Sequence, residues 1–266
     1  GGSLHSVYEP NDEVAHQLLK RHPEALRAGS FQQILQSTEI KLVAAAAVPN
    51  QRGPIGIEVM RHGKDYFTDK CPFVSLQQLA EAKQAVLETG MKYAVCFSER
   101  LQNEAAEFAR ELVDDGVIGE VIQVLGLGPH RLSKASRPAW FFEKDKYGGI
   151  LCDIGSHQAE QFLTYSGNQQ AEVIMARVDN FANPQTPELE DFGEFSLKGA
   201  TGTSGYFRMD WFTPDGLRTW GDGRTTILGS KGFIECRKYI DLTVSPLRDN
   251  MVYIVTADGE EQHAVS

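Results

Sequence analysis

Two regimes of apolar patterning follow one another along the chain. In the first, short apolar runs alternate with stretches of helical spacing. Residues 3–8 read as a strand, and Asn11 and Asp12 can cap a helix carrying Val14, Leu18 and Leu19 on one side. Residues 40–48 form an apolar run suited to a strand buried on both faces. Pro54 suits the first turn of a helix through Ile57 and Met60, and residues 64–68 make the next strand. The helix after it is marked at both ends. Ser75 with Gln78 three residues on predicts a capping box, Leu76, Leu79, Val86 and Leu87 predict the buried stripe, and Gly90 stops it. Residues 92–97 are the fourth strand. This alternation predicts a parallel sheet covered by helices.

The second regime starts after one more helix, 101–115, with Leu101, Ala105, Phe108 and Leu112 on one face. Strands then dominate, at 121–127, 173–180, 192–197, 203–211, 225–228, 233–237 and 251–256, with turns such as 213–216 and 229–232 between them. Only 150–165 interrupts them as a helix. The expected fold is therefore an α/β unit over residues 1–98 followed by an α+β unit over 99–266 with a large, mostly antiparallel open sheet.

Composition narrows the function classes. The 266 residues are 41% hydrophobic, enough for one large or two modest cores. Acidic residues outnumber basic ones, 36 to 26, for a formal charge of −10. That balance argues against nucleic acid or an anionic membrane as partner and favours a small molecule or a protein. No apolar run approaches the roughly 18 residues of a membrane span. Cys71, Cys96, Cys152 and Cys236 lie far apart, as separately packed thiols would. The chain opens without a basic-then-apolar leader pattern, so the cytoplasm is the expected location.

Three places carry candidate chemistry. Glu9 ends the first strand, where an acid in a doubly wound nucleotide-binding sheet receives the ribose hydroxyls of NAD and repels a 2′-phosphate; Glu-Pro is also an ordinary turn. No strand and G-x-G-x-x-G precede it, and Gly126-Leu127-Gly128 runs into Pro129 rather than a helix. Lys70 closes the third strand at the carboxyl end of the sheet, where a lysine can hold a substrate oxygen or lie solvated. The richest stretch is 148–157, where Asp153 and His157 share a helical face. That spacing suits a surface pair, an acid–base pair or two metal ligands, although further ligands for a metal are not evident. Trp140, Phe141 and Phe142 just before it suit core packing or stacking on a sugar ring.

Taken in order, Val7-Tyr8-Glu9-Pro10, Val48-Pro49-Asn50, Asp69-Lys70 and Gly148-Gly149 through Asp153 to His157 resemble the glucose-fructose oxidoreductase and inositol dehydrogenase (Gfo/Idh/MocA-like) family over nearly the whole chain. The segment 227–235 resembles the family's turn between sheet strands. The resemblance implies a Rossmann-like N-terminal domain, a C-terminal sheet domain whose open face makes a dimer or tetramer contact, and NAD-dependent redox chemistry on a sugar or polyol, with NADP less favoured. It implies that Lys70 lies between nicotinamide and substrate, that Asp153 and His157 complete the catalytic set, and that Glu9, Pro49 and Asn50 face the cofactor. The segment Ser98-Glu99-Arg100 is implied at the site, and the loop around Arg137 and Trp140 would contact substrate.

Departures from the family pattern qualify this. Asp69 replaces a glutamate, Gly53 a histidine, and Cys71 the proline after the lysine. That proline's bond is often cis in the family, and before cysteine a cis bond costs about 3–4 kcal/mol. The first strand, its glycine turn and a closing helical segment are absent from the sequence, which therefore reads as part of a longer chain. A sugar- or nucleotide-binding protein without turnover, and a glycoside hydrolase using NAD as a recycled oxidant, are the alternative readings.

Overall fold

The structure, a computed structural model, describes residues 2–244, 246 and 248–265. Its first half holds two parallel sheet pieces. β1 (Ser6–Val7) pairs with β2 (Leu26–Arg27), and β3 (Leu42–Ala45), β4 (Asp65–Asp69) and β5 (Tyr93–Cys96) form a second ladder with β4 in the middle. Among the described residues no ladder joins β1 to β3. Helices α1 (Asp12–Arg21), α2 (Phe31–Gln36), α3 (Pro49–Arg61) and α4 (Leu76–Thr89) connect the strands. As expected, Asn11 caps α1, its Oδ1 accepting from the amides of Glu13 and Val14. The strand at β2 and the short α2 escape the sequence reading because neither is long enough to show a period.

Two expectations about the helices are corrected. Helix α3 begins at Pro49, so Pro54 lies inside it rather than in its first turn. Pro54 cannot donate to the carbonyl of Asn50, and the Gln78 side chain donates to that oxygen instead, at 2.8 Å. The predicted box at Ser75 is therefore half formed. The Gln78 amide donates to Ser75 Oγ at 3.2 Å, but Gln78 Oε1 accepts from Val74 N at 3.0 Å rather than from Ser75. The stripe on α4 also differs: Ala82 and Ala85 are buried, whereas Leu76 and Leu87 are 83% and 81% exposed. Small residues let α4 lie close beside α3, and that packing selects its inner face.

The second half is one eight-stranded sheet. Its strands are β6 (Val121–Pro129), β7 (Ala171–Asp179), β8 (Phe192–Gly199), β9 (Ser204–Asp210), β10 (Arg224–Gly229), β11 (Gly232–Arg237), β12 (Met251–Thr256) and β13 (Gly259–Ala264), in the order β13-β12-β11-β10-β6-β9-β8-β7. Every ladder is antiparallel except β6 with β9. The expected helix 101–115 starts later. α5 (Ser98–Leu101) is a separate turn, and Asn103 caps α6 (Glu104–Asp114) by accepting from Ala106 N, leaving Leu101 exposed. The expected helix 150–165 divides at Ile154 into α8 (Ile150–Asp153) and α9 (Gly155–Ser166), preceded by the short α7 (Lys144–Tyr147).

One face of the sheet is covered by α6 and α9 through a core that includes Phe162, Phe207, Ile227 and Ile254. A separate cluster around Ile57, Met60, Tyr66 and Ala85 serves the first half. The sheet's other face is open, and Leu125, Tyr206 and Leu228 remain exposed on it. All four cysteines are free thiols. Among the described residues no helix is long and apolar enough to cross a membrane.

Candidate active site

Lys70 leaves the carboxyl end of β4, and its ammonium contacts Asp153 Oδ1 at the end of α8. Burial opposes the charge on Lys70, but the Asp153 carboxylate outweighs it and raises the lysine pKa; the same contact holds Asp153 below the usual carboxylate range against its own burial. The Lys70–Cys71 peptide bond is cis. Arg52, only 6% exposed, clasps this corner. Its guanidinium donates to the carbonyls of Lys70 and Cys71, the latter at 3.3 Å, and Nε donates to Ala47 O at 2.7 Å. Nothing in the sequence singles out Arg52, because the acceptors of its hydrogen bonds are backbone oxygens from two loops, with the Asp69 carboxylate 3.8 Å away.

Asp153 is set in place by the turn before it. Gly148 and Gly149 both have positive φ, 86° and 88°, and a Cβ on Gly149 would lie 2.4 Å from Glu190 Oε2. Glu190 accepts from Ile150 N at 2.9 Å and so caps α8. The two glycines are legible in the sequence; Glu190, forty residues on, is not.

His157 sits in the first turn of α9, 2% exposed, with its ring edge-on to Phe97. Burial pushes its pKa down to about 4 against the pull of the Glu99 carboxylate. The neutral imidazole is thus the resting form, and its Nδ1 is buried without a partner among the described residues. Glu99, from α5, stands behind it in a buried network. Lys238 Nζ lies 3.4 Å from Glu99 Oε2, Gln158 Nε2 donates to the same oxygen at 3.1 Å, and His130 Nε2 lies 3.3 Å from Oε1. Gln161 ties this set to α9, accepting from Lys238 at 3.0 Å and donating to His157 O at 3.1 Å. Gln158 reaches Glu99 across β6 at Gly126 and Gly128, where a Cβ would lie 2.4 Å from Gln158 Oε1 and 3.0 Å from Nε2. Close approach explains the Gly126-Leu127-Gly128 motif.

Other candidate residues are placed as follows. Glu9 Oε1 accepts from Asn11 N at 2.8 Å and closes its own turn. Pro49 is buried at the start of α3, and Asn50 Oδ1 is buried without a partner among the described residues. Arg100 is committed to carboxylates, with Nε 2.7 Å from Glu160 and Nη1 2.9 Å from Glu107. Trp140 packs against the core beside the buried Phe141, and Arg137 lies over Phe141. Among residues the sequence reading did not single out, His130 packs against Trp220 with ring centroids 4.3 Å apart and planes tilted by 55°, and Trp220 is half exposed.

Residues 107–235 match the GFO/IDH/MocA C-terminal domain. A solved "putative oxidoreductase" of Erwinia carotovora atroseptica is 46% identical, superposes with a TM-score of 0.94, and is matched over 99% of this chain and 78% of its own. The chain belongs to the Gfo/Idh/MocA family. Its fold recurs in levoglucosan dehydrogenase solved with NADH and levoglucosan, at 18% identity, a TM-score of 0.83, and coverage of 99% of this chain and 71% of that one. The scyllo-inositol 2-dehydrogenase (NAD(+)) of Bacillus subtilis is 24% identical over 85% of this chain and 61% of its own length. The D-xylose dehydrogenase of Paenarthrobacter nicotinovorans is 22% identical over 55% and 39%. This Gfo/Idh/MocA chain thus spans less than two thirds of the curated relatives' lengths.

Proposed function

We propose that the protein is an NAD-dependent oxidoreductase that moves hydride between a nicotinamide and a carbon of a sugar or polyol. The observation that carries this reading is the convergence of Lys70 and Asp153 from separate halves of the chain beside a buried, neutral His157. The sugar and inositol dehydrogenases among the relatives support the substrate class. The division into domains 1–98 and 99–266 belongs to the same proposal.

The residues present fit the nicotinamide half of the cofactor, since Asn50 Oδ1 and His157 Nδ1 are buried without partners and await a polar ligand. Lys70 and Asn50 would hold that half, with Glu9 and Pro49 also facing the cofactor; bound nicotinamide supplies the hydride acceptor. The acid at Glu9 favours NAD over NADP. His157, neutral above about pH 4, takes the proton of the substrate hydroxyl. Lys70 holds the reacting oxygen, and Asp153 fixes the lysine and the substrate. The Glu99 carboxylate stabilises the imidazolium as it forms.

Fluorescence titration with NADH and NADPH tests cofactor choice, with saturable and tighter NADH binding expected. His157→Ala should lower kcat by about 10²–10⁴-fold while leaving NADH binding unchanged. Equal loss of both would make His157 structural. The open sheet face is proposed as the contact of a homodimer or tetramer, and light scattering on a Leu125→Glu/Tyr206→Glu variant should show a smaller species.

A further inference from the structure

One cation beside this site lacks a counter-charge. Of the arginines that are buried or half-buried, Arg137 is the one with no carboxylate within 4.0 Å among the described residues; Arg52, Arg100, Arg131 and Arg237 each face one. Its guanidinium lies 4.4 Å from the Phe141 ring centroid and 5.0 Å from that of Trp211. Nε donates to Leu132 O at 2.9 Å, Nη2 reaches Arg131 O only at 3.5 Å, and Nη1 has no acceptor among the described residues. The side chain is therefore anchored at its neck with its planar head uncommitted.

A second unused donor stands against it. Trp211 is 5% exposed, and its indole Nε1 is buried with no acceptor among the described residues. His130 packs edge-on against the same indole, at 5.4 Å between ring centroids, and itself faces Glu99. Asp153 is the acid that partly offsets the burial of Arg137, so the cation is within electrostatic reach of the catalytic pair without touching it. A half-buried cation with no carboxylate partner and a free Nη1, beside a buried indole N–H with no acceptor among the described residues, leave two donors for a group that only accepts.

We infer that Arg137, with the Trp211 N–H, binds a carboxylate of the substrate, so that the protein acts on a sugar-derived acid rather than a neutral sugar. The inference rests on the dehydrogenase reading for its turnover, but not for its binding. Charge balance selects a carboxylate. Lys70 is matched by Asp153 and Lys238 by Glu99, which leaves a single positive charge, whereas a phosphomonoester carries about two negative charges near neutrality. A planar guanidinium also matches a carboxylate through two parallel hydrogen bonds.

The test compares three hexopyranoses of one ring stereochemistry, the neutral sugar, its 6-carboxylate and its 6-phosphate, as substrates with NAD, in wild type, Arg137→Lys and Arg137→Met. The expected result is a wild-type kcat/KM for the carboxylate about 10²-fold above the neutral sugar, repeated for several stereochemistries. Arg137→Met should lose most of that factor through KM on the carboxylate and lose clearly less on the neutral sugar, with Arg137→Lys between. Preference for the neutral or phosphorylated member, or equal loss on all three in a variant that melts like wild type, overturns the inference. Calorimetric titration of the uronates, with and without NADH, separates the two readings. Uronate binding that disappears in Arg137→Met upholds the anion site even without turnover, and no uronate binding by wild type overturns it. Failure to bind NADH overturns only the dehydrogenase reading.

Discussion

Replacing Lys238 by methionine probes the network behind His157 most directly. Lys238 is fully buried and Glu99 is 4% exposed, so water cannot solvate whichever charge is left. Met fills most of the lysine's volume, and the perturbation is therefore electrostatic rather than a cavity. Glu99 would keep Gln158 and His130 as partners but lose its nearest ammonium, 3.4 Å away. Breaking a buried pair on one side removes about 3–5 kcal/mol of stability, whereas replacing both charges is close to neutral. Lys238→Met/Glu99→Gln should therefore be more stable than Lys238→Met alone.

The pH dependence follows from the same pair. Burial disfavours the Glu99 charge, yet Lys238, His157 and His130 outweigh it and hold the carboxyl well below its usual range. A depressed carboxylate pKa stabilises the fold above the unfolded value and loses that contribution as pH falls through the folded value. Removing Lys238 raises the folded value, so the deficit should be complete at pH 7 and should shrink below about pH 4. Trp140, Trp211 and Trp220 are the three tryptophans and all lie in the half that contains this network, so urea unfolding followed by tryptophan fluorescence reads it selectively. A loss of about 4 kcal/mol corresponds to a midpoint lowered by roughly 2 M. A shift under about 0.5 M, or a double variant no better than the single one, would refute the reasoning.

Three further outcomes are expected. Gly149→Ala places a Cβ 2.4 Å from Glu190 at φ +88°, and should lower the melting temperature and kcat together, by about 1–3 kcal/mol of stability measured by calorimetry. Arg52→Leu strips the donors from the Lys70 and Cys71 carbonyls, and should lower kcat by at least about tenfold with a smaller effect on NADH binding followed by fluorescence. With His157 held near pKa 4, wild-type kcat/KM should stay level from pH 8 down to about 5 and fall below it. Glu99→Gln, which removes the charge that raises that pKa, should move the acid limb lower still, as read by initial rates in short exposures.

Strands and the α/β-to-sheet transition were legible because each leaves a period or a bounded apolar run. Asp153 and His157 were legible because they stand four apart behind two glycines, and Lys70 because it closes a strand at the carboxyl end of the sheet. What escaped reading is what acts at a distance along the chain. Glu190 caps α8 from forty residues away, Lys238 meets Glu99 across 139 positions, and Arg52 holds backbone oxygens that carry no residue identity. Within the segment 98–100, Glu99 turns inward to the network while Arg100 is spent on Glu107 and Glu160. Adjacent residues in one turn point to different neighbours, and only the packing of α5 decides which faces the site. The misplaced stripe on α4 has a related cause: apolar spacing identifies a face, but the closest approach of α3 and α4 is set by alanines, which weigh little in such a pattern.

The contact of Lys70 with Asp153 joins the two halves, and removing its acid yields a prediction with a definite sign. Lys70 is raised above its ordinary pKa because the carboxylate overcomes burial. In Asp153→Asn only the burial remains among the larger influences, so the lysine pKa should fall below that ordinary value. A lysine that holds the reacting oxygen must be charged, and wild type should therefore keep its rate as pH rises through the range in which NAD is stable. The Asn variant should instead lose rate with an alkaline limb that wild type lacks, superposed on a lower plateau. A plateau lowered at every pH by one constant factor, with no alkaline limb, would mean that Asp153 serves the substrate alone and that the charge on Lys70 is maintained by Glu99 and Asp69, the other carboxylates that raise it.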